Sequence, residues 1–320
     1  MGSEGESGTP VAPVRAACAP GLNPVSGAAI GALLFNAFAW GISWWPFRAL
    51  ADRGLHVLWA TCTVCVLGAL VVTLWRPRAW GQLLRSPPLW CLLLAAGATN
   101  ATFNWGVTIG DVVRVVLLFY LMPLWAVLLA RWLLHEALTA AALLRLALAL
   151  AGAAIVLWPQ ADAAGGGMVE ASAAAWPLPR SLAEWLGLAG GFAFAMTNVL
   201  LRREAAATES ARALAIFVGG AVVAGALACV LSASGTVPWP GPAPAWAAGA
   251  ALLALWFIGA NLALQYGATR VPANVTAVVM VSEVLFASGS ASLLGASRMT
   301  PALMLGAGLI VGAALLAARR

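Results

Sequence analysis

The sequence of 320 residues is 62% hydrophobic and 9% charged, whereas a soluble domain carries about 25% charged residues. Too few polar residues are available to cover a soluble fold of this length, so the composition predicts a membrane protein. The net charge of +6 comes from seventeen Arg and no Lys. These Arg lie in short breaks between apolar runs rather than in one patch, which excludes a nucleic-acid-binding face.

Residues 1–24 are rich in Pro, Gly and Ser and lack hydrophobic periodicity, which predicts a disordered tail. Beyond the tail, apolar runs of about 18 to 23 residues recur, the length that an α-helix needs to cross about 30 Å of hydrocarbon. The predicted fold is therefore an all-α integral membrane protein of about ten transmembrane helices. The predicted spans are residues 26–45, 56–75, 88–107, 112–134, 140–158, 182–201, 211–231, 244–264, 272–294 and 301–318.

The longest break, residues 159–181, contains Gly165-Gly166-Gly167 and two Pro. We interpret it as a periplasmic linker between two five-helix repeats, residues 25–158 and 182–320. Arg is enriched in the segments that face the cytoplasm if the N-terminus is inside, because eleven Arg then lie inside and five outside. This distribution predicts a multi-pass protein of a bacterial-type inner membrane with both termini, including the tail, in the cytoplasm.

The two halves share positions at two related offsets. A shift of 156 residues aligns Gly31 with Gly187 and Ala37-Phe38-Ala39 with Ala193-Phe194-Ala195. A shift of 161 residues aligns Asn100 with Asn261 and Asn104 with Gln265, and Tyr266 follows in the same frame. Because each half has an odd number of predicted helices, the second enters the membrane from the opposite side, which makes the repeat inverted. Each amide pair shares a helix face, so these side chains and Tyr266 are predicted to line a central cavity. Simple hydrogen bonding between helices is the alternative.

The first predicted helix carries Asn36, Trp40 and Ser43 at spacings of four and three residues. An aromatic ring with hydrogen-bonding neighbours could hold an amphiphilic solute such as an amino acid by stacking or cation–π contact. A packing stripe that ends in the interfacial anchor Trp44 is the other interpretation. Asn198, in the sixth predicted helix, is a further cavity candidate.

Glu283 is the one carboxylate well inside a predicted span. An ionised carboxylate is costly there, so the group should be neutral, paired or facing water, and it is a candidate for coupling transport to a proton. Arg145 and Arg114 are candidate partners, and a structural brace between two helices is the alternative role. Pro46 and Pro123 interrupt the first and fourth apolar runs. Tyr120 precedes Pro123 by three residues, which makes Tyr120 a cavity candidate at a kinked helix.

Other chemistry is poorly represented. Cys62 and Cys65 have a spacing found in redox and metal sites, but they lie in a span, and the only His are His56 and His135. No catalytic motif for an intramembrane enzyme is present. The sequence therefore predicts no metal, no cofactor and no enzymatic activity, with the lipid bilayer and a small molecule as partners. A small-residue pair in the last span leaves a homodimer as a minority alternative.

Four short segments are typical of one transporter group. They are Phe38-Ala-Trp-Gly41, Leu121-Met-Pro-Leu-Trp125, Leu134-His-Glu-Ala-Leu-Thr139 and Ser282-Glu-Val-Leu-Phe286. Together with the ten predicted spans, these segments resemble the EamA-type, ten-helix members of the drug/metabolite transporter (DMT) superfamily. The sequence departs from the pattern of this family in two places. The family's Pro near Val284 is missing, and the Glu that in the family follows a Gly after the ninth helix is replaced around Gly295-Ala-Ser297.

The resemblance implies a secondary transporter or facilitator that exports amino acids or similar small metabolites by alternating access through a central cavity. A different class of function stays open at this stage. The alternative is a flippase for a lipid-linked intermediate, or an accessory membrane protein in envelope biogenesis. A polar stripe in a closed central cavity favours the solute transporter, whereas a groove open to lipid favours the flippase.

Overall fold

The structure, a computed structural model, describes residues 27–133, 140–157, 178–204, 206–268, 270, 276, 279–297 and 299–318. Within these ranges the chain is helical and has no β-strand. Five of the described segments are long and apolar enough to cross a membrane, and two further apolar helices are shorter. The five are Gly27–Ala51, Val57–Trp75, Leu182–Leu201, Glu209–Ala233 and Ala247–Leu264. The described part of the chain is thus all-helical, with five helices suited to a membrane protein.

The helices begin and end close to the predicted spans. In chain order they are α1 Gly27–Gly41, α2 Trp44–Ala51, α3 Val57–Trp75, α4 Ala79–Arg85, α5 Pro87–Ile109, α6 Val112–Phe119, α7 Met122–Leu133, α8 Ala140–Leu157, α9 Leu182–Arg203, α10 Glu209–Ala233, α11 Ala247–Ala268, α12 Ser282–Leu293 and α13 Pro301–Ala318. The predicted span 272–294 appears as α12 in its second part, and residues 271–275 and 277–278 lie outside the described residues.

Two predicted spans, the first and the fourth, are each split into two helices. Pro46 has no N–H to donate to the carbonyl of Ile42, which instead accepts from the N–H of Trp45 at 3.2 Å. Pro123 likewise withdraws the donor for the carbonyl of Phe119, the last residue of α6. The sequence predicts both interruptions because Pro acts on the backbone locally.

The helices pack through a small set of neighbours. Helix α5 packs against α9 and α10, α1 against α11 and α12, α3 against α10 and α11, and α6 against α9 and α12. Helix α8 packs against α13, where a Cβ on Gly152 would lie 2.8 Å from the carbonyl oxygen of Gly306. A Cβ on Gly306 would in turn lie 2.9 Å from the carbonyl oxygen of Gly152. Glycine therefore allows the two backbones to touch, as in other membrane helix pairs.

One end of the helix bundle is closed by contacts between loops and helix ends. We name it the Glu184 end, after the residue in the first turn of α9. The N–H of Gly241 donates to the carbonyl of Gly54 at 2.8 Å. Gly54 has φ 87°, a left-handed conformation that favours glycine. At the same end, Arg48 donates from Nη2 to the carbonyl of Gly110 at 2.7 Å, which satisfies the C-terminus of α5.

The opposite end, which we name the Arg76 end, contains the C-terminus of α3 and the N-terminus of α10. Thr208 is the N-cap of α10, and its hydroxyl donates to Oε1 of Gln82 at 2.7 Å. This hydrogen bond joins the loop region around α4 to the second half of the chain. The two ends thus both contain contacts between the predicted halves.

Candidate functional site

The backbone interruption between α6 and α7 places one polar side chain in the interior. Tyr120 lies at this interruption, where its N–H donates to the carbonyl of Val116 at 2.9 Å and closes α6. A second interruption occurs at Val281, immediately before α12. Helices α6 and α12 pack against each other. The structure therefore brings two helix interruptions, one from each predicted half, into the same region.

Tyr120 and Glu283 meet at these interruptions. The phenol oxygen of Tyr120 lies 3.0 Å from Oε2 of Glu283 and 3.1 Å from the carbonyl oxygen of Met280. Tyr120 is 2% exposed and Glu283 8% exposed. The phenol has one hydrogen, so it can donate to only one of these two oxygens at a time. Both contacts are hydrogen bonds when Glu283 carries a proton and donates to the phenol, which then donates to Met280.

Helix α1 presses closely against the Glu283 segment. A Cβ on Gly41 would lie 2.8 Å from the carbonyl oxygen of Glu283 and 2.7 Å from Cβ of Phe286, so only glycine fits there without displacement. Further along, Nε1 of Trp44 donates to Oγ of Ser290 at 3.0 Å. These two contacts hold α12, and with it the buried carboxyl, against α1 and the start of α2.

A row of aromatic rings, which we name the aromatic row, fills the space beside the Tyr120–Glu283 contact. Trp40 lies between Phe257, with ring centroids 4.6 Å apart, and Phe103, at 6.5 Å. Phe103 contacts Phe119 at 4.6 Å, and Phe119 contacts Tyr120 at 6.1 Å. The row connects α1, α5, α6 and α11. Trp40, Tyr120 and Glu283 are therefore the predicted site residues that the structure brings together.

Three other predicted polar residues are buried with an oxygen that accepts no hydrogen bond from the described residues. Asn36 donates from Nδ2 to the carbonyl of Ala260 at 2.8 Å, and Asn104 donates to Oγ1 of Thr61 at 3.1 Å. The amide oxygens of Asn36 and Asn104 and the hydroxyl of Ser43 have no partner among the described residues. A buried unsatisfied acceptor costs about 1–3 kcal/mol, so these positions favour an additional polar group nearby.

The remaining asparagine candidates bond within their own helices. Asn100, Asn198 and Asn261 each donate from Nδ2 to the carbonyl four residues earlier, at 2.9, 3.0 and 3.0 Å. Asn198 is exposed on α9, whereas Asn100 and Asn261 are half-buried. These amides satisfy their donors locally, as polar residues in membrane helices commonly do.

The last two candidates lie near the C-terminus of α11, at the Arg76 end. The ring of Tyr266 lies under the guanidinium of Arg270, 4.0 Å from its carbon to the ring centroid. Tyr266 is exposed. The side chain of Gln265 lies outside the described residues. The structure thus places Tyr266 away from the Tyr120–Glu283 contact.

The first half of the chain, from α1 to α8, matches a known family. Residues 27–158 match the model of the EamA-like transporter family. This match confirms the resemblance to EamA-type members of the DMT superfamily. A solved structure titled "Crystal structure of protein" is 18% identical with a TM-score of 0.49, over 91% of this chain and 96% of that chain. No curated protein matches the sequence.

The family match covers α1 to α8 and indicates no substrate. Because Trp40 and Tyr120 belong to the EamA-like half and Glu283 does not, the site described above combines residues from both sides of residue 158. The aromatic row also combines residues from both sides of residue 158, because Phe257 belongs to α11. The candidate site therefore lies between the EamA-like half and the rest of the chain.

A second feature lies between the EamA-like half and the later helices. A cleft of about 630 Å³ lies where α3, α10 and α11 meet, and Asn261 is one of its lining residues. Arg76 and Arg212 lie at its polar end. Ligand-binding pockets commonly have volumes of about 300–1,000 Å³. Asn261 is thus the predicted cavity residue that faces open space.

One ion pair at the Glu184 end was not predicted from the sequence. Nη1 of Arg114 donates to Oε1 of Glu184 at 2.7 Å, so Arg114 pairs with Glu184 rather than with Glu283. The carboxylate of Glu184 also accepts from the N–H of Ser181, and the N–H of Glu184 donates to Oγ of Ser181. The Ser181-x-x-Glu184 spacing is a readable capping box. The ion pair with Arg114 on α6 could not be predicted from a local spacing, because Arg114 lies seventy residues earlier in the chain.

Proposed function

We propose that the protein is a secondary transporter or facilitator that exports amino acids or similar small metabolites by alternating access. The solute path passes between two inverted five-helix repeats, with Trp40, Tyr120 and Glu283 at its centre. The observation that carries the proposal is the contact between Tyr120 and Glu283, where two helix interruptions from different halves meet. Interrupted helices that meet at the midplane are typical of secondary transporters.

The helix packing supports the inverted repeat. The offsets found in the sequence relate α1 to α9, α3 to α10, α5 to α11 and α6 to α12. Under this relation, the contact of α1 with α11 corresponds to that of α9 with α5, and α1 with α12 to α9 with α6. The contact of α3 with α11 corresponds to that of α10 with α5. An offset of 161 residues also relates Tyr120 to Val281, where the chain interrupts its helices.

The unequal ends support alternating access. At the Glu184 end, the halves are joined by the ion pair of Arg114 with Glu184 and by the hydrogen bond of Gly241 with Gly54. At the Arg76 end, the halves are joined by the exposed hydrogen bond of Thr208 with Gln82. Transport requires a second state in which the contacts at the Glu184 end are broken and the aromatic row is parted.

The chemistry of the centre supports an amphiphilic solute. Trp40 and Tyr120 offer ring faces, and Glu283 and Tyr120 offer hydrogen-bonding groups beside them. Aromatic faces attract an ammonium group through cation–π contact, and an apolar side chain of the solute can pack against the same rings. An amino acid carries both groups, which is why we propose this class of solute.

The hydrogen-bond geometry around Tyr120 supports a role of Glu283 in coupling transport to protons. In the observed arrangement, protonated Glu283 satisfies both contacts of the Tyr120 hydroxyl. If the path opens and water reaches the carboxyl, ionisation becomes less costly and the proton can leave. A proton released on one side of the membrane and bound on the other would drive the solute.

The experiment measures uptake of a mixture of isotope-labelled amino acids into proteoliposomes, with and without a pH gradient. We expect the gradient to drive accumulation by the wild type and Glu283→Gln to abolish this accumulation while exchange down a concentration gradient persists. Tyr120→Phe should reduce gradient-driven uptake about tenfold, which corresponds to one hydrogen bond of about 1.4 kcal/mol. Asp52→Asn, at an exposed carboxylate, is the matched control and should behave as the wild type.

Two outcomes have different meanings. Wild-type uptake that ignores the pH gradient, together with full uptake by Glu283→Gln, contradicts the coupling role but leaves transport standing. Uptake no faster than in protein-free vesicles, for every labelled solute in the mixture, contradicts the proposed substrate class.

The Arg distribution supports a bacterial-type inner membrane location with both termini in the cytoplasm, which places the Arg76 end inside. A homodimer through α13 is compatible with the packing. A Cβ on Gly308 or Gly312 would meet no atom within 4 Å, so this face of α13 has room for another helix.

A further inference from the structure

The cleft between α3, α10 and α11 is polar at one end and apolar along its length. On α3 it extends from Gly68 to Arg76, which is about 12 Å at 1.5 Å per residue. Its volume of about 630 Å³ is sufficient for an organic ligand. The cleft therefore has the length to take part of an extended hydrocarbon chain parallel to α3.

The polar end contains more positive than negative charge. Arg76 and Arg212 contribute two guanidinium groups, and Glu209 contributes one carboxylate. Arg212 donates from Nη1 to the carbonyl of Glu204 at 3.3 Å, which holds its guanidinium near this end. The N-terminus of the 25-residue helix α10 lies at the same place, and its dipole adds positive potential. Two guanidinium groups beside a helix N-terminus are suited to a phosphate.

The apolar part of the cleft is open at Leu262, a lining residue that is 48% exposed. Val71, Val72, Phe217 and Ile258 line it. Trp75 also lines it and is 69% exposed, which is typical of a Trp at the level of lipid headgroups. A ligand in the cleft can thus place a charged group among the guanidinium groups and an apolar chain against these side chains.

We propose that this cleft binds an anionic phospholipid of the surrounding membrane, with its phosphate between Arg76 and Arg212 and part of an acyl chain along α3. A free phosphate would leave the apolar part of the cleft unused. The Arg76 end is the end predicted to face the cytoplasm, and anionic lipids attract basic segments at that surface. The proposal does not depend on which solute is transported, because the residues that line the cleft do not include Trp40, Tyr120 or Glu283.

The test measures lipid binding to the purified full chain in neutral detergent by native mass spectrometry, with phosphatidylglycerol and phosphatidylcholine as probes. We expect phosphatidylglycerol to bind at least tenfold more tightly than phosphatidylcholine. Arg76→Gln combined with Arg212→Gln should reduce this preference at least tenfold. Arg85→Gln, at an exposed Arg of the same end that does not line the cleft, should change it less than twofold.

Two further measurements keep the result interpretable if the double variant folds poorly. Ala213→Phe adds a ring to the cleft between Arg212 and Phe217 without altering charge, and it should weaken binding of phosphatidylglycerol at least fivefold. Glycerol 3-phosphate at millimolar concentration should not displace the lipid. Equal binding of both lipids, a loss in Arg85→Gln as large as in the double variant, or full displacement by glycerol 3-phosphate would each overturn the proposal.

Discussion

Removing the guanidinium of Arg114 should destabilise the closed Glu184 end. Arg114 lies on α6 and Glu184 on α9, so their ion pair at 2.7 Å joins the two proposed repeats. Arg114→Gln keeps a polar side chain of moderate length and deletes the charge. We expect the variant to lose stability and to open more readily at this end, because the mostly buried carboxyl of Glu184 then lacks its cationic partner.

The magnitude follows from the exposure of the two side chains. Exposed ion pairs contribute about 0–1 kcal/mol, whereas breaking a buried pair costs about 3–5 kcal/mol. The side chain of Glu184 is 7% exposed and that of Arg114 29%. After the substitution, Glu184 still accepts from the backbone N–H of Arg180 at 2.6 Å and of Ser181 at 3.3 Å. We therefore expect an intermediate loss of about 2 kcal/mol, or about thirtyfold in the equilibrium constant.

The assay is a double-mutant cycle with Arg114→Gln, Glu184→Gln and the combination, measured by equilibrium unfolding in mixed detergent micelles. The interaction energy should be about 1–2 kcal/mol. Arg180→Gln removes a neighbouring charge but leaves its backbone N–H in place, so it should change stability by less than about 0.5 kcal/mol. An interaction energy indistinguishable from zero, or an equal loss in Arg180→Gln, would refute the reasoning.

Two further predictions concern close packing and helix capping. Gly191→Ala should lower the free energy of unfolding by about 2 kcal/mol, because the new Cβ would lie 2.5 Å from the carbonyl oxygen of Phe119. Gly31→Ala, where no atom lies within 4 Å, should not destabilise, and equal losses in the two unfolding measurements would contradict the packing argument. Burial lowers the pKa of His56 below its usual 6.5, and its neutral Nδ1 accepts from the N–H of Leu58 at 3.3 Å. Stability should therefore be full above about pH 6.5 and fall as the pH drops through the lowered pKa, since the unfolded chain binds the proton more readily. His56→Asn keeps a capping acceptor and should flatten the dependence of Tm between about pH 8 and about pH 5; an unchanged slope would assign it to other groups.

Much of the helical framework could be predicted because its causes are local. The length of an apolar run sets whether it can span the hydrocarbon, and Pro46 and Pro123 interrupt helices through their missing N–H groups. The short motifs predicted the EamA-type resemblance, which the match over residues 27–158 confirms. The division into two inverted repeats of five helices each stays a prediction that the helix packing supports.

The partners of the polar side chains could not be predicted in the same way. Glu283 was singled out as an intramembrane carboxylate, with Arg145 and Arg114 as candidate partners. Its partner in the structure is Tyr120, which lies 163 residues earlier. Arg114 instead pairs with Glu184, and the side chain of Arg145 lies outside the described residues. Each of these pairs connects helices that are distant in the chain, so no local spacing encodes it.

The sequence by itself determined that the chain lies in a membrane, where its apolar helices run and where two of them break. These properties depend on the hydrophobicity and backbone chemistry of consecutive residues. Only the tertiary structure decided that Tyr120 faces Glu283, that Asn261 faces a cleft and that Asn198 faces outward. Each residue along an α-helix turns the side-chain direction by about 100°, so contacts depend on how whole helices rotate and cross. That rotation is set by packing against neighbours, which a single apolar run does not specify.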